Sequence, residues 1–300
     1  MTPLRLVTLG LLAACGSDYD LKPDPEKPSV DDTAPPDKEP EDTSPPEDTD
    51  PPEDTDPPDV EPGKPVAVCD VYPNPVANLT EPATWDGSGS YDPDGIPLTN
   101  YNWTLIERPA GSTAVMTGSG AVRGGFITDM GGVYTGQLVV TNEAGINSNP
   151  CQVSLEAIPA EDLWIEMFWA HSGDDMDLHL LAPGATTRDY TTSNDCYYGN
   201  CVGRGLEWGV SGSADNPVLD LDDIPGTGPE NINIDAPEEG TYTVVVHDYP
   251  GSSYTPGNDV TINIYVDGSL LWTDTRTLSG ENGYTPYATV NYATRSVTAL

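Results

Sequence analysis

The sequence predicts an all-β protein: two β-sandwiches set behind an acidic, proline-rich stalk. Three observations carry that prediction. Residues 16–64 hold 18 of the 49 acids and 13 of the 31 prolines, a composition that cannot bury a core. Beyond them, short alternating apolar runs are separated by Gly, Pro, Asn and Asp turns, and no ten residues keep a helical period. Four cysteines then fall in pairs within two blocks, 65–158 and 161–298, each of a length that suits one sandwich.

The start of the chain reads as an export signal. Met1-Thr-Pro-Leu-Arg5 is a short basic opening, and Leu6 to Ala14 is an apolar run too short to span a membrane. It ends in Leu12-Ala13-Ala14-Cys15, which resembles a bacterial lipoprotein lipobox. That resemblance implies a signal peptide over 1–14 and Cys15 as the lipidated first residue of the mature protein. Acyl chains would hold such a protein to a membrane without a spanning helix, so the expected location is the bacterial envelope, at the outer membrane or cell surface. Residues 15–64 follow as a tether. Asp31-Asp-Thr-Ala-Pro-Pro36 foreshadows three hexads, starting at Glu41, Glu47 and Glu53 and each ending in Pro-Pro. Proline fixes φ and like charges repel, so a disordered, polyproline-like spacer of at most about 150 Å is expected.

Charge excludes one class of partner. The net charge is −14 over residues 16–64, −7 over 65–160 and −18 over 161–300, and no lysine follows Lys64. An acidic body with six arginines and no lysine is poorly suited to neutralising phosphates, so nucleic acid is not an expected partner. Cys15 aside, Cys69, Cys151, Cys196 and Cys201 are even in number in an exported chain and read as two disulfides. Pairing within each block, 69–151 and 196–201, is expected over the two interblock connectivities.

Block 65–158 shows strand-like runs at Val66–Val71, Tyr101–Ile106, Tyr134–Thr141 and Gln152–Ala157, with a strong turn at Asp92-Pro-Asp-Gly95. About ninety residues of this kind suggest an immunoglobulin-like sandwich. Asp86-Gly-Ser-Gly-Ser-Tyr-Asp-Pro-Asp-Gly95, Tyr101-Asn-Trp103, Arg108-Pro-Ala-Gly-Ser112, Gly131-Gly-Val-Tyr134 and Val139-Val-Thr-Asn-Glu-Ala-Gly145 together resemble a PKD (polycystic kidney disease) domain. The resemblance implies a spacer or interaction module, with Trp103 in the core and Tyr134 at a strand corner. Asp86, Asp92 and Asp94 are expected to stabilise turns rather than to hold Ca²⁺.

Block 161–298 is also β-patterned, most clearly at Leu163–Trp169, Leu178–Leu181, Gly240–Val246, Val260–Val266 and Leu270–Trp272, with a hairpin turn at Asp267-Gly268. A second, larger, jelly-roll-like sandwich is expected. Its informative positions are acids and histidines. Alternation along a strand places Asp175, Asp177 and His179 on one face and Asp220 and Asp222 on another. With Asp223, Glu230 and His247 they form the candidate metal set. Oxygen donors favour Ca²⁺, whereas inclusion of the two histidines favours Zn²⁺. An EF-hand starting at Asp220 fails, because its fifth and twelfth positions would be Ile224 and Asn231. Strand-end hydrogen bonding by Asp177 and His179 is the alternative to metal. Tyr197, Tyr198 and Trp208, along with Tyr190, Tyr249 and Tyr254, are candidates for stacking on a ligand. The runs Asp175-Met-Asp-Leu-His-Leu-Leu-Ala-Pro-Gly184, Tyr197-Tyr-Gly-Asn200, Leu219 to Asp223, Gly228 to Ile232 and Gly240 to Val246 resemble YfaP-type β-sandwich domains of exported bacterial proteins. That likeness implies a fold and not a task.

No catalytic constellation is legible. Gly-x-Ser-x-Gly, His-Glu-x-x-His, a lysine-bearing phosphate loop and a dinucleotide fingerprint are all missing. The sequence therefore points to a non-enzymatic, lipid-anchored binding or adhesion module with a glycan or protein ligand. A purely structural spacer and a metal-dependent hydrolase are the alternatives.

Overall fold

The computed structural model describes residues 63–300 except Arg204, Ser213, Pro225 and 252–255. The expected signal peptide, Cys15, nearly all of the expected stalk, and Tyr254 lie outside the described residues. Val60–Leu300 form one compact unit. Its architecture is all-β, and among the described residues no helix is long and apolar enough to cross a membrane.

The first sandwich packs a three-stranded sheet, β1 (Asp70–Tyr72), β3 (Ala83–Asp86) and β5 (Arg123–Phe126), on a four-stranded one. The latter runs β2 (Val76–Ala77), β7 (Cys151–Ile158), β6 (Gly132–Asn142) and β4 (Leu98–Glu107). The first strand is shorter than expected, since Val66 makes only isolated bridges to Tyr91 and Asn149. The core is aromatic. Trp85, fully buried, has Trp103 at 5.9 Å and Phe126 at 5.8 Å between ring centroids. Gly136 is the floor beneath Trp85, where a Cβ would come within 2.8 Å of the indole. The Tyr134 hydroxyl receives the Met130 N–H at 3.0 Å and lies 2.9 Å from both Asp129 Oδ1 and Met130 O, fixing the corner. Cys69–Cys151 ties the first strand region to β7.

The second sandwich has two five-stranded antiparallel sheets. One runs β10 (Asp195–Cys196), β9 (Met176–Leu181), β13 (Thr241–Asp248), β16 (Tyr284–Asn291) and β17 (Ser296–Ala299). The other runs β11 (Val218–Leu221), β12 (Glu230–Ile234), β8 (Leu163–Trp169), β14 (Asn258–Val266) and β15 (Ser269–Leu278). Asp267 and Gly268 both take positive φ, which is what a two-residue turn between β14 and β15 requires. Alternation sends Met176, Leu178 and Leu180 of β9, and Val244 and Val246 of β13, into the shared core. Cys196 and Cys201 are bonded to each other inside that same core, so they anchor the long connection after β9 instead of decorating a surface loop.

β8 is buried on both faces because the first sandwich covers it. Trp164 and Glu166 are essentially inaccessible. Glu166 Oε1 accepts from Gly131 N at 2.6 Å and from Trp164 Nε1 at 2.9 Å, while Tyr265 donates its hydroxyl to Gly131 O at 3.2 Å. Burial, opposed by those hydrogen bonds, pushes the Glu166 carboxyl up to about 7.

Candidate functional site

The residues that alternation removes from the core of the β10–β17 sheet build the site. Asp177 and His179 share the non-core face of β9. The ladder sets His247 directly opposite Asp177 and Val245 opposite His179, and β16 sets Tyr284 opposite His247. Asp177 is thereby common to two groups whose ligand atoms lie within 4.8 Å of one another: Asp177, His179 and His247, and Asp177, Asp222 and Glu230.

The histidines are held firmly. His179 Nδ1 is 2.8 Å from Asp195 Oδ2, with both side chains buried, and His179 Nε2 has no hydrogen-bond partner. Asp195 Oδ2 also accepts from Thr191 N at 2.8 Å, which fixes the carboxylate. His247 Nδ1 faces Asp177 Oδ2 at 3.3 Å and its Nε2 faces Asn282 Oδ1 at 3.1 Å. Burial works against the charged form of His247, but the contacts with Asp177 and Asn282 outweigh it and raise its proton affinity. Tyr197 lies flat on His179 at 5.2 Å, Tyr284 on His247 at 4.1 Å, and Tyr190 on Tyr284 at 4.2 Å.

The acids meet from the other sheet. Glu230, at the start of β12, accepts from Leu178 N at 2.7 Å through Oε2, on a stretch of β9 that β10 leaves unpaired. Its Oε1 and Asp175 Oδ1 are buried without partners. Burial, followed by the charges of Asp177 and Asp222, pushes Asp175 up to about 6. Burial and the charges of Asp177, Asp222 and Asp175 likewise raise Glu230, and burial and Asp177 raise Asp222. Asp222 itself is exposed.

Five of the expected metal residues thus come together, Asp177, His179, Asp222, Glu230 and His247, and the carboxylate of Asp175 is near enough to feel their charge. Two do not. A bulge between Leu219 and Leu221 turns Asp220 away, where its carboxylate accepts from Asn233 Nδ2 at 2.7 Å. Asp223 Oδ2 accepts from Gly228 N at 2.8 Å and closes a turn. Trp208 requires correction as a ligand-stacking residue. It is buried against Tyr242, and its indole N–H is donated to Ser193 O at 2.7 Å. Tyr197 and Tyr198 do line the site, joined by Tyr249, which packs edge-on against both Tyr198 and His247. In the first sandwich Asp86 pairs with Arg123, Asp92 accepts from Asn142 and from Asp94 N, and Asp94 accepts from Gly63 N. Asp195, Asn282 and Tyr284 are the site residues that sequence reading missed. Only the position of Asp195, beside a paired cysteine, hinted at order.

No family model matches the chain, and no curated protein matches it. Among solved structures, the PKD domain of the KIAA 1837 protein in solution is 21% identical. That match covers 30% of this chain and 83% of that one, with a TM-score of 0.25. A structure of carbohydrate-binding modules from the β-sandwich superfamily is 12% identical over 76% of this chain and 84% of that one, with a TM-score of 0.26.

Proposed function

We propose that the chain is a lipid-anchored envelope protein whose second sandwich binds a glycan through a Ca²⁺ ion. Cys15 is the anchor, residues 16–64 carry the folded unit away from the membrane, and the first sandwich acts as spacer. One observation carries the binding reading. Asp177, Asp222 and Glu230 gather carboxylate oxygens within 4.8 Å, and Glu230 Oε1 and Asp175 Oδ1 are buried with nothing to satisfy them. Hard oxygen donors suit Ca²⁺. The exposed position of Asp222 leaves one side of such an ion open to ligand hydroxyls, and the tyrosine rim of Tyr197, Tyr198 and Tyr249 offers ring faces and edges for a sugar.

The test is glycan-array binding of the full chain in detergent, with Ca²⁺ and with chelator. Binding that disappears with chelator and in Asp222→Asn supports the reading. Chelator-insensitive binding, or retention of protein ligands alone from a mixed envelope extract, overturns it.

A further inference from the structure

His179 and His247 are two of the chain's three histidines, and both are buried on one face beside a carboxylate. The oxygen set described above does not use them. We propose that Asp177, His179 and His247 form a second cation site, for a divalent transition metal of the zinc class, and that Asp195 is the positioning residue for His179. The site shares Asp177 with the Ca²⁺ reading but does not depend on it.

The hydrogen-bond inventory assigns the lone pairs. A neutral imidazole has one N–H and one lone pair. His179 gives its Nδ1–H to Asp195 Oδ2 at 2.8 Å, so the lone pair is on Nε2, the buried atom with no partner. A buried lone pair without a donor or a cation is unfavourable, and a metal ion would satisfy it. A carboxylate on the far nitrogen of a histidine is the usual support of a metal ligand, because it sets the tautomer and raises the basicity of the ligating nitrogen. Thr191 N–H and the Tyr197 ring, stacked at 5.2 Å, hold that pair in place.

His247 leads to the same arrangement by another route. Its Nε2 faces Asn282 Oδ1, an acceptor, at 3.1 Å, so Nε2 carries the hydrogen. In the neutral ring the Nδ1 lone pair then points at Asp177 Oδ2, 3.3 Å away. Two lone pairs facing each other at that range repel unless a proton or a metal ion lies between them. Ligand atoms on one tetrahedral ion with bonds of ~2.0 Å are about 3.3 Å apart. The Nδ1 to Oδ2 separation already has that value. Two nitrogens and one carboxylate oxygen suit Zn²⁺ and poorly suit Ca²⁺. Three protein ligands also leave a fourth position open on a tetrahedral ion.

Titration of the chelator-treated full chain with Zn²⁺, and visible absorption with Co²⁺ as its spectroscopic stand-in, tests the site. One Zn²⁺ per chain and a tetrahedral Co²⁺ spectrum are expected. Both should be lost in His179→Gln and in His247→Gln and retained in Asp222→Asn, while the Ca²⁺ response should show the opposite sensitivity. Asp195→Asn should weaken Zn²⁺ about 10–100-fold with the Co²⁺ spectrum and the Ca²⁺ response unchanged. Where His179→Gln lowers the folded fraction, the more accessible His247→Gln carries the same test. No Zn²⁺ uptake by the parent, or equal uptake by either folded histidine variant, overturns the proposal. Zn²⁺ and Ca²⁺ both abolished by Asp222→Asn would mean a single oxygen site, overturning this proposal and leaving the Ca²⁺ reading intact. Zn²⁺ uptake without any Ca²⁺ response would do the reverse.

Discussion

Asp177 and His247 are directly opposed across the β9–β13 ladder, with Oδ2 and Nδ1 3.3 Å apart. The contact places the carboxylate that both candidate cation groups share at a position set by backbone register, the least deformable feature of a sheet.

Ca²⁺ at a hundred times its dissociation constant should stabilise the folded unit by about 2.7 kcal/mol. Asp177→Asn should remove most of that gain, since it deletes a charged ligand and keeps the side chain's size. Without Ca²⁺ the relief of crowding among the carboxylates should offset the weakened contact with His247, leaving the variant about as stable as the parent. Thermal unfolding of both proteins, with chelator and with millimolar Ca²⁺, checks this. A variant that melts lower in chelator and a parent indifferent to Ca²⁺ would assign Asp177 a hydrogen-bonding role alone.

Glu166 should make stability depend on pH at the contact between the sandwiches. Its folded value, about 7, lies above the ordinary 4.5, so between those values the native state keeps a proton that the unfolded chain releases. Stability is therefore fully present below about pH 4.5 and falls as pH rises to about 7, by about 3 kcal/mol in all. Glu166→Gln, which keeps the acceptor for Gly131 N–H, should lack that decline. Parallel stability–pH curves for parent and variant would refute the assignment.

Trp208→Ala should destabilise by about 3–5 kcal/mol, as expected for a truncated core aromatic. Tyr249→Ala should change stability little and weaken glycan binding, because Tyr249 is 37% exposed and borders the site. The opposite pattern in melting and binding data would return Trp208 to the ligand surface.

Removing the first bridge, in Cys69→Ala/Cys151→Ala, should lower unfolding free energy by roughly 2–5 kcal/mol. The five-residue loop of Cys196–Cys201 predicts a smaller loss, about 2 kcal/mol. Its opening should nevertheless impair binding, because Tyr197 sits between the two cysteines and covers His179. Denaturant unfolding and binding of the two double variants, measured together, separate these effects.

Cys15→Ala should leave the precursor unlipidated and move the protein from the detergent phase to the aqueous phase on partitioning. Equal membrane retention of the variant would rule out the lipid anchor.

What the sequence determined by itself is local. A period of two along β9 places Asp177 and His179 together on the face opposite Met176, Leu178 and Leu180. Turn residues mark the Asp267-Gly268 hairpin, and cysteine spacing within each block anticipates both disulfides. Tertiary structure decided the rest. Asp220 should have shared its face with Asp222, but a one-residue bulge in β11 turned it towards Asn233, and Glu230 from the adjacent strand stands in the acid group. Trp208 looked like a loop aromatic, yet the buried disulfide draws its segment into the core. Asp195, Asn282 and Tyr284 reach the histidines from 16, 35 and 37 residues away, through loop closure and the pairing of β16 with β13. Alternation is a property of a single strand and can be read from neighbours in the chain. Register, bulges and the path of a long connection are settled by contacts between residues far apart in sequence, whose energies only the assembled fold brings into play.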